Sequence, residues 1–284
     1  MNGKVILVTG ATAGIGEKTA EALAQMGAVV VIHGRKEGKT RQVVQHIQDK
    51  TGNRQVDYLL ADFASLGEVR TMVEEFRRRY SRLDVLVNNA GGYFHNRLET
   101  RDGFEMTFGV NHLAPFLLTN LLLDLIQNSA PSRIVNVSSG AHLGGRINFN
   151  DLQAQRNYNG WQAYSQSKLA NVLFTYEMAR RLEGTSVAAN VLHPGFVATN
   201  FGKNNGGWMG AFIKVSQLLA LSPEKGAETS IYLASSPDVE GVTGKYFVNK
   251  RAVPSSRLSY QQEIARQLWQ VSMEMVGLGE KSIP

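Results

Sequence analysis

The 284-residue chain contains no cysteine. This absence excludes disulfide bonds, thiolate metal sites and a cysteine nucleophile. No long hydrophobic run is present either, since the most apolar stretch, residues 115–126, is shorter than a bilayer span and contains Asn120 and Asp124. The N-terminus shows no signal-peptide pattern, because it leads directly into an apolar run that ends in glycine. We therefore expect a soluble, cytoplasmic protein without an integral membrane segment.

Neither sign of charge dominates, since 30 lysines and arginines stand against 24 acidic residues, a net charge of +6. A modest excess of this kind is typical of scattered solvated cations, and it can also favour phosphorylated ligands. The sequence has no nucleic-acid-binding motif and no cluster of histidines and carboxylates. We expect neither a nucleic-acid partner nor a metal site.

Short runs rich in valine, isoleucine and leucine alternate along the chain with amphipathic segments of helical length. This alternation predicts a parallel sheet covered by helices on both faces. No repeat or linker divides the sequence, so we predict a single α/β domain over 1–284 with about seven strands. The predicted strands are 4–10, 28–34, 55–62, 83–91, 132–139, 186–195 and 244–250. The predicted helices lie near 15–27, 38–50, 65–80, 103–128, 161–183, 223–235 and 256–277.

The stretch TGATAGIG (9–16) follows the first strand and opens the first helix. Glycine permits positive φ and lets a pyrophosphate approach the backbone, where the helix N-terminal amides hold the anion. Although the spacing is G-x-x-x-G-x-G, its position between strand and helix predicts dinucleotide binding and a Rossmann-type doubly wound sheet. The predicted cofactor contacts in this turn are Gly10, Thr12, Ala13, Gly14, Ile15 and Gly16.

Two cations, Arg35 and Lys36, follow the second strand, where folds that choose NAD usually place a carboxylate. A guanidinium can pair with a 2′-phosphate, so we predict NADP(H) as the cofactor. Asp62 and Phe63, after the third strand, are further predicted cofactor contacts, and Asp62 is a candidate to accept a hydrogen bond from the adenine amino group. An alternative is that Asp62 caps the helix that starts near Ser65.

Five motifs follow one another in the order TGATAGIG (9–16), NNAG (88–91), VNVSS (135–139), YSQSK (164–168) and HPG (193–195). In this order and at these strand positions they resemble the short-chain dehydrogenase/reductase family, over nearly the whole chain. Residues 102–119, 164–182 and 266–278 are similar to its retinol dehydrogenase-like branch.

The resemblance implies four catalytic residues. Tyr164 would be the general acid in carbonyl reduction and the base in alcohol oxidation, and Lys168 would lower its pKa and hold the nicotinamide ribose. Ser139 would hydrogen-bond the substrate carbonyl, while Asn111 would shape its helix and hold a relay water. The further cofactor contacts implied by the resemblance, besides Tyr164 and Lys168, are Asn89, Ala90, Gly91, Pro194, Gly195 and Thr199.

The spacing of Tyr164 and Lys168 suits proton transfer, because residues four apart share one helix face. Negative charge that grows on a carbonyl oxygen can be met by the hydroxyls of Ser139 and Tyr164. An adjacent ammonium favours phenolate, so we expect the pKa of Tyr164 to fall toward the working pH. His142 and His193 flank the motifs without an orienting acid in sequence, and we expect packing or loop roles for them.

Residues 200–222 begin with glycines and asparagines and continue with apolar side chains. This composition predicts a lid over an apolar ligand, with a helix packed on the core as the alternative. The polar stretch 140–162 is expected to border the substrate mouth. The resemblance also implies a homodimer, paired through the two long helices near 103–128 and 161–183.

Together these features predict an NADP(H)-dependent oxidoreductase that interconverts a hydrophobic aldehyde or ketone and its alcohol, with reduction favoured. Two alternatives stay open at this point. One is an NAD-linked alcohol dehydrogenase of the same fold, and the other is a non-catalytic NADP-sensing protein.

Overall fold

The computed structural model describes residues 1–195 and 221–279. Its strands are β1 Val5–Val8, β2 Val29–Gly34, β3 Val56–Leu60, β4 Val85–Asn88, β5 Ser132–Val137, β6 Val187–His193, β7 Tyr246–Val248 and β8 Arg251–Val253. They form one sheet in the order β3-β2-β1-β4-β5-β6-β7-β8, in which β1 to β7 are parallel and β8 is antiparallel to β7. The predicted α/β fold with a doubly wound parallel sheet is confirmed.

Helices cover both faces of this sheet. The helices are α1 Gly14–Gln25, α2 Glu37–Thr51, α3 Leu66–Arg79, α4 Met106–Phe108, α5 Ala114–Leu121, α6 Leu123–Asn128, α7 Gly160–Arg181, α8 Pro223–Ser235 and α9 Gln262–Met275. One hydrophobic cluster joins the sheet to α3, α5, α6, α7 and α9, and a second joins its other face to α1, α2 and α8. The strand order reverses between β1 and β4, which opens a cleft at the carboxyl ends of the strands.

The helix predicted over 103–128 is not continuous. A π-helix, Gly109–Leu113, separates α4 from α5, and Leu122 interrupts the run before α6. The N–H of Ala114 bonds to the Gly109 carbonyl, five residues back, and Pro115 has no N–H with which to restore the α-helical pattern.

The helix predicted over 256–277 also needs correction. A 3₁₀ turn, Arg257–Tyr260, precedes α9, so the α-helix begins only at Gln262.

Strand β8 is the element that the sequence did not reveal. Asn249 and Lys250 have φ of 49° and 64°, the left-handed values of a two-residue hairpin turn. The predicted strand 244–250 therefore ends at Val248, and the chain returns as a short exposed edge strand.

The C-terminal helix α9 packs on α7. The Arg181 guanidinium lies 4.3 Å from the centroid of the Trp269 ring, and that ring contacts Phe116 and Phe174. His112 Nε2 lies 2.9 Å from Ser272 Oγ. The α7 surface toward α9 is thus covered within the chain. Within the described ranges, none of the helices combines the length and apolarity needed to cross a bilayer.

Candidate active site

The glycine-rich turn connects β1 to α1 at the carboxyl edge of the sheet. Gly10 and Gly14 have φ of 63° and 60°, in the left-handed region that favours glycine. A Cβ on Gly16 would lie 2.6 Å from the Gly10 carbonyl oxygen, so any side chain there would clash with the turn. Ala13, the N-cap of α1, makes no side-chain capping hydrogen bond. Because alanine has no polar side chain, this N-cap residue offers no acceptor to the first amides of α1, which suits a phosphate ligand.

Neighbouring strands hold this turn in place. Thr9 Oγ accepts hydrogen bonds of 3.0 Å from the N–H groups of both Asn89 and Ala90. The Asn89 amide donates to the Thr9 carbonyl at 2.8 Å. From the other side, His33 Nδ1 accepts from the Gly10 N–H at 3.1 Å. The ends of β1, β2 and β4 are thereby joined around the predicted phosphate site, in which Thr12 and Ile15 also lie.

Arg35 and Lys36 are exposed after β2. Arg35 Nη1 lies 4.0 Å from Asp62 Oδ1. The two residues predicted to bind the adenosine end of the cofactor therefore lie close together. The N-cap of α3 is Ser65, whose Oγ accepts from the Glu68 N–H. This assignment removes the alternative that Asp62 caps α3.

The four predicted catalytic side chains come together beside the end of β4. Ser139 follows β5, Tyr164 and Lys168 are one turn apart on α7, and Asn111 lies in the π-helix. A Cβ on Gly91 would lie 3.0 Å from Asn111 Oδ1 and 3.5 Å from Lys168 Nζ. Gly91 thus connects the predicted cofactor groove to the predicted catalytic group.

Asn111 ties the loop after β4 to α7. Its Oδ1 accepts from the Gly92 N–H at 2.7 Å, and its Nδ2 donates to the Gly92 carbonyl at 2.9 Å. The same Nδ2 donates to Ser167 Oγ at 3.0 Å. Both hydrogen-bonding ends of the amide are used, and they fix Gly92 against the helix that carries Tyr164.

Burial controls the ionisation of the central pair. Burial raises the pKa of Tyr164 to about 12, although a hydrogen bond with Ser139 lowers it. Burial also lowers the pKa of Lys168 to about 8. Lys168 Nζ donates to the Val137 carbonyl at 3.1 Å and lies 5.6 Å from the centroid of the Tyr164 ring. The structure differs here from the expected fall in the Tyr164 pKa, because desolvation of the phenolate outweighs the effect of its neighbours.

Two aromatic rings that were not predicted from the sequence lie beside Tyr164. The Tyr93 ring packs edge-on at 5.9 Å between centroids, and the Trp161 ring lies at 6.0 Å. Trp161 is 58% exposed, which is unusual for so large an apolar side chain. The sequence could have indicated this contact, because a residue three positions before Tyr164 lies on the same face of α7.

His33 was also missed as a site residue. It is buried, and its ring stacks on Phe63 at 4.3 Å between centroids. Burial lowers the pKa of His33 to about 4, so the ring is neutral. Phe63, predicted to contact the cofactor, is itself buried and packs in the core. The sequence could have indicated a special role for His33, because it is a polar residue within the apolar run VVVIHG.

The stretch 140–162 lies on two sides of α7. Its first turn follows Ser139 directly, whereas residues 144–159 line a cavity of about 540 Å³ against Gln162, Ala163 and Gln166. At about 100° per residue, those three positions face away from Tyr164 and Lys168. The turn after Ser139 therefore adjoins the catalytic group, the cavity lies on the other side of α7, and the expectation that this stretch borders the substrate mouth stays a prediction.

The last predicted cofactor contacts follow β6. Pro194 and Gly195 lie at the carboxyl edge of the sheet, and Gly195 has a φ of 86°. Thr199 and nearly all of the predicted lid, 200–222, lie outside the described residues. Among the described residues, no group of three or more potential metal-ligating side chains is placed to hold an ion.

Comparisons with known proteins agree with this arrangement. A family model described as short chain dehydrogenase matches residues 4–210. Retinol dehydrogenase 14 of Mus musculus is 46% identical, over 98% of this chain and 87% of its own length. Among solved structures, an uncharacterized protein from Mycobacterium paratuberculosis is 32% identical with a TM-score of 0.79, covering 98% of this chain and 94% of its own. A protein from Shigella flexneri 2a str. 301, described as a short chain dehydrogenase complexed with NADP, is 26% identical with a TM-score of 0.66, covering 88% and 98%.

Proposed function

The chain belongs to the retinol dehydrogenase-like branch of the short-chain dehydrogenase/reductase family, and we propose that it reduces hydrophobic aldehydes or ketones with NADPH. The oxidoreductase class follows from family membership. The observation that supports the proposed chemistry is the placement of Asn111 and Lys168 against Gly91, with Tyr164 one turn before Lys168 on α7 and hydrogen-bonded to Ser139.

A dinucleotide fits the residues present. The glycine-rich turn has no room for a side chain at Gly10 or Gly16 and leaves the first amides of α1 without a capping side chain. The turn would hold the pyrophosphate, while Asn89, Ala90 and Gly91 would line the groove. When bound, the nicotinamide supplies the hydride, and the protein supplies position and the proton.

The choice of NADP(H) is supported by charge. Arg35 and Lys36 are exposed after β2, and no acidic residue lies between His33 and Lys36. A guanidinium pairs with a 2′-phosphate, whereas a carboxylate would repel it. The structural neighbour complexed with NADP is consistent with this choice.

Reduction is supported by the ionisation of the central pair. A pKa raised to about 12 keeps Tyr164 protonated at neutral pH, which is the form that donates a proton to a carbonyl oxygen. Ser139 Oγ already accepts from the Ala141 N–H at 3.2 Å, which orients its hydroxyl at the end of β5. A substrate oxygen between Ser139 and Tyr164 would accept two hydrogen bonds as negative charge develops on it.

An apolar substrate is supported by the rings of Tyr93 and Trp161, which both lie beside Tyr164. Aromatic faces beside the reacting hydroxyl favour a hydrophobic or conjugated carbonyl compound. The name of the related retinol dehydrogenase 14 points to the same kind of molecule. The cytoplasmic location and the homodimer stay predictions, and because α9 covers one side of α7, pairing would need another surface.

The test is a panel of carbonyl compounds with NADPH absorbance as the readout. Wild-type protein should oxidise NADPH with apolar aldehydes. Tyr164→Phe should bind NADPH with unchanged affinity and lose turnover by roughly 10²–10⁴-fold, the usual contribution of a general acid. Substantial turnover by Tyr164→Phe would rule out the assigned role, and tight NADPH binding without turnover on any compound would favour a sensor.

A further inference from the structure

His142 occupies an unexplained position next to the predicted catalytic serine. It lies in the 3₁₀ turn Gly140–Gly144, whose N-cap is Ser139, and its side chain is fully buried. Its Nδ1 lies 2.7 Å from the Ser139 carbonyl oxygen, and its Nε2 lies 3.2 Å from the Ser256 nitrogen. One imidazole therefore joins residues that are 117 positions apart in the sequence.

The partners of His142 fix its tautomer. The Ser256 N–H can only donate, so Nε2 must be the unprotonated acceptor, and in a neutral ring the hydrogen is then on Nδ1. That hydrogen is donated to the Ser139 carbonyl. Burial lowers the pKa of His142 and thus favours this neutral form. The Tyr246 ring, at 4.7 Å between centroids, and His193 are the other ring and titratable group that face it.

The far end of this bridge is itself anchored to α7. Ser255, the neighbour of Ser256, shares a hydrogen bond of 2.7 Å between its Oγ and the Tyr176 hydroxyl on α7. Ser259 Oγ donates to the Ser256 carbonyl at 2.6 Å, which closes the turn. The contacts therefore lead from Ser139 through His142 and the C-terminal segment 255–260 to the helix that carries Tyr164.

We propose that His142 is a positioning residue, which holds the Ser139 backbone, and hence its hydroxyl, at a fixed place relative to Tyr164 by anchoring the turn to the segment 255–260. The inference rests on the proposed function, since it takes Ser139 as catalytic. A side chain that only fills space would need no directional hydrogen bond at either end, and this difference can be measured.

Two substitutions separate the two ends of the imidazole. In His142→Asn, the side-chain amide nitrogen can replace Nδ1 as the donor to Ser139. In His142→Gln, the longer amide can reach the Ser256 N–H but loses the donor at the Nδ1 position. The exposed neighbour in the same turn, Leu143 (65% exposed), gives the matched control Leu143→Ala.

The expected result is a specific loss of kcat. His142→Gln should lower kcat by about tenfold or more, because small misplacements of a catalytic group are costly, with the KM for NADPH unchanged. His142→Asn keeps the donor to Ser139 but loses the anchor at Ser256, so its kcat should fall by a similar factor, with some loss of thermal stability. Leu143→Ala should match wild type in kcat, KM and Tm.

Two outcomes would overturn the inference. In one, either His142→Gln or His142→Asn retains the wild-type kcat; in the other, both variants lose kcat only in proportion to their loss of Tm. If His142→Gln does not fold, Ser256→Pro is the second variant, because a φ of −62° at Ser256 suits proline and the change removes the N–H. It should lower kcat without changing the KM for NADPH, and an unchanged kcat would count against the bridge.

Ser139→Ala in the same assay separates this inference from the proposed function. If Ser139→Ala is as active as an active wild type, Ser139 is not catalytic, and the inference fails while the proposed reduction stands. If the wild type turns over none of the carbonyl compounds, the proposed function fails, and the inference with it. If Ser139→Ala is inactive while His142→Gln is fully active, the role of His142 alone is rejected.

Discussion

The backbone N–H of Gly10 donates a hydrogen bond of 3.1 Å to Nδ1 of His33. Because Nδ1 is the acceptor, the other ring nitrogen carries the hydrogen and donates to the Ala61 carbonyl at 2.9 Å. A neutral histidine thus connects the glycine-rich turn with β2 and the residue after β3. This tautomer is the opposite of the one that His142 adopts beside Ser139.

This arrangement predicts that stability falls in mild acid. Burial lowers the pKa of His33 from 6.5 to about 4, so between these values the unfolded chain binds a proton that the folded protein does not. The stabilisation is complete above pH 6.5 and is lost as pH falls toward 4, by about 3 kcal/mol. His112, with its pKa also lowered to about 4 by burial, should contribute similarly. Urea denaturation at several pH values measures the slope.

Single substitutions show which histidines cause this pH dependence of the free energy of unfolding. His33→Asn keeps an acceptor for the Gly10 N–H and should remove roughly half of the pH dependence between 6.5 and 4. His46→Gln, at an exposed position of α2, should leave it unchanged. A His33→Asn protein with the wild-type slope would show that His33 is not responsible.

Cofactor preference should depend on Arg35. Its side chain is 70% exposed, so it is available to a 2′-phosphate. Arg35→Ala should raise the KM for NADPH by about tenfold or more and leave that for NADH nearly unchanged. Arg54→Ala, which removes an equally exposed arginine beyond α2, is the control. Equal constants for the two cofactors, unaffected by Arg35→Ala, would contradict the NADP assignment.

The sheet and its parallel strands could be predicted because they follow from local sequence, whereas the four clustered side chains were implied by the resemblance of the ordered motifs to a known family. Alternating apolar runs specify the strands, and the motifs fall where those strands end. The π-helix around Asn111 could not be predicted, since it depends on the Asn111 amide bonding both backbone groups of Gly92 as well as on Pro115. The roles of His33 and His142 depend on partners 23 and 114 positions away, which no local pattern contains.

Reduction should decline in alkaline solution. Lys168 is protonated below its pKa of about 8, and Tyr164 below about 12, so the ammonium is the first group to be lost as pH rises. We expect kcat/KM for carbonyl reduction to fall above about pH 8, since this ratio reports the free enzyme. In Lys168→Arg, the alkaline limb should move upward, because a guanidinium keeps its charge. A profile that is flat to about pH 9.5 in the wild type would contradict the assignment.

Substrate recognition should depend on Trp161. Its exposed ring lies 6.0 Å from Tyr164 between centroids, and a bound apolar carbonyl compound would cover it. Trp161→Ala should raise the KM for a long apolar aldehyde by about tenfold and leave the KM for NADPH unchanged. Leu98→Ala, an exposed apolar residue elsewhere, is the control. If the KM for apolar and small polar aldehydes rises equally, Trp161 does not contribute to specificity.

Asn111 should matter for activity more than for stability. Asn111→Ala leaves both backbone groups of Gly92 without their side-chain partner, which should cost about 1–3 kcal/mol and release the loop beside Lys168. Because the loop and Ser167 would both shift, we expect kcat to fall by about 100-fold.

Asn120→Ala is the matched control for Asn111→Ala, since the buried Asn120 amide donates to the Phe116 carbonyl within its own helix, at 2.8 Å. It should lower Tm by a similar or smaller amount and leave kcat within about twofold. Circular dichroism melts and NADPH kinetics on both variants make the comparison, and equal losses of kcat would mean that Asn111 acts through stability alone.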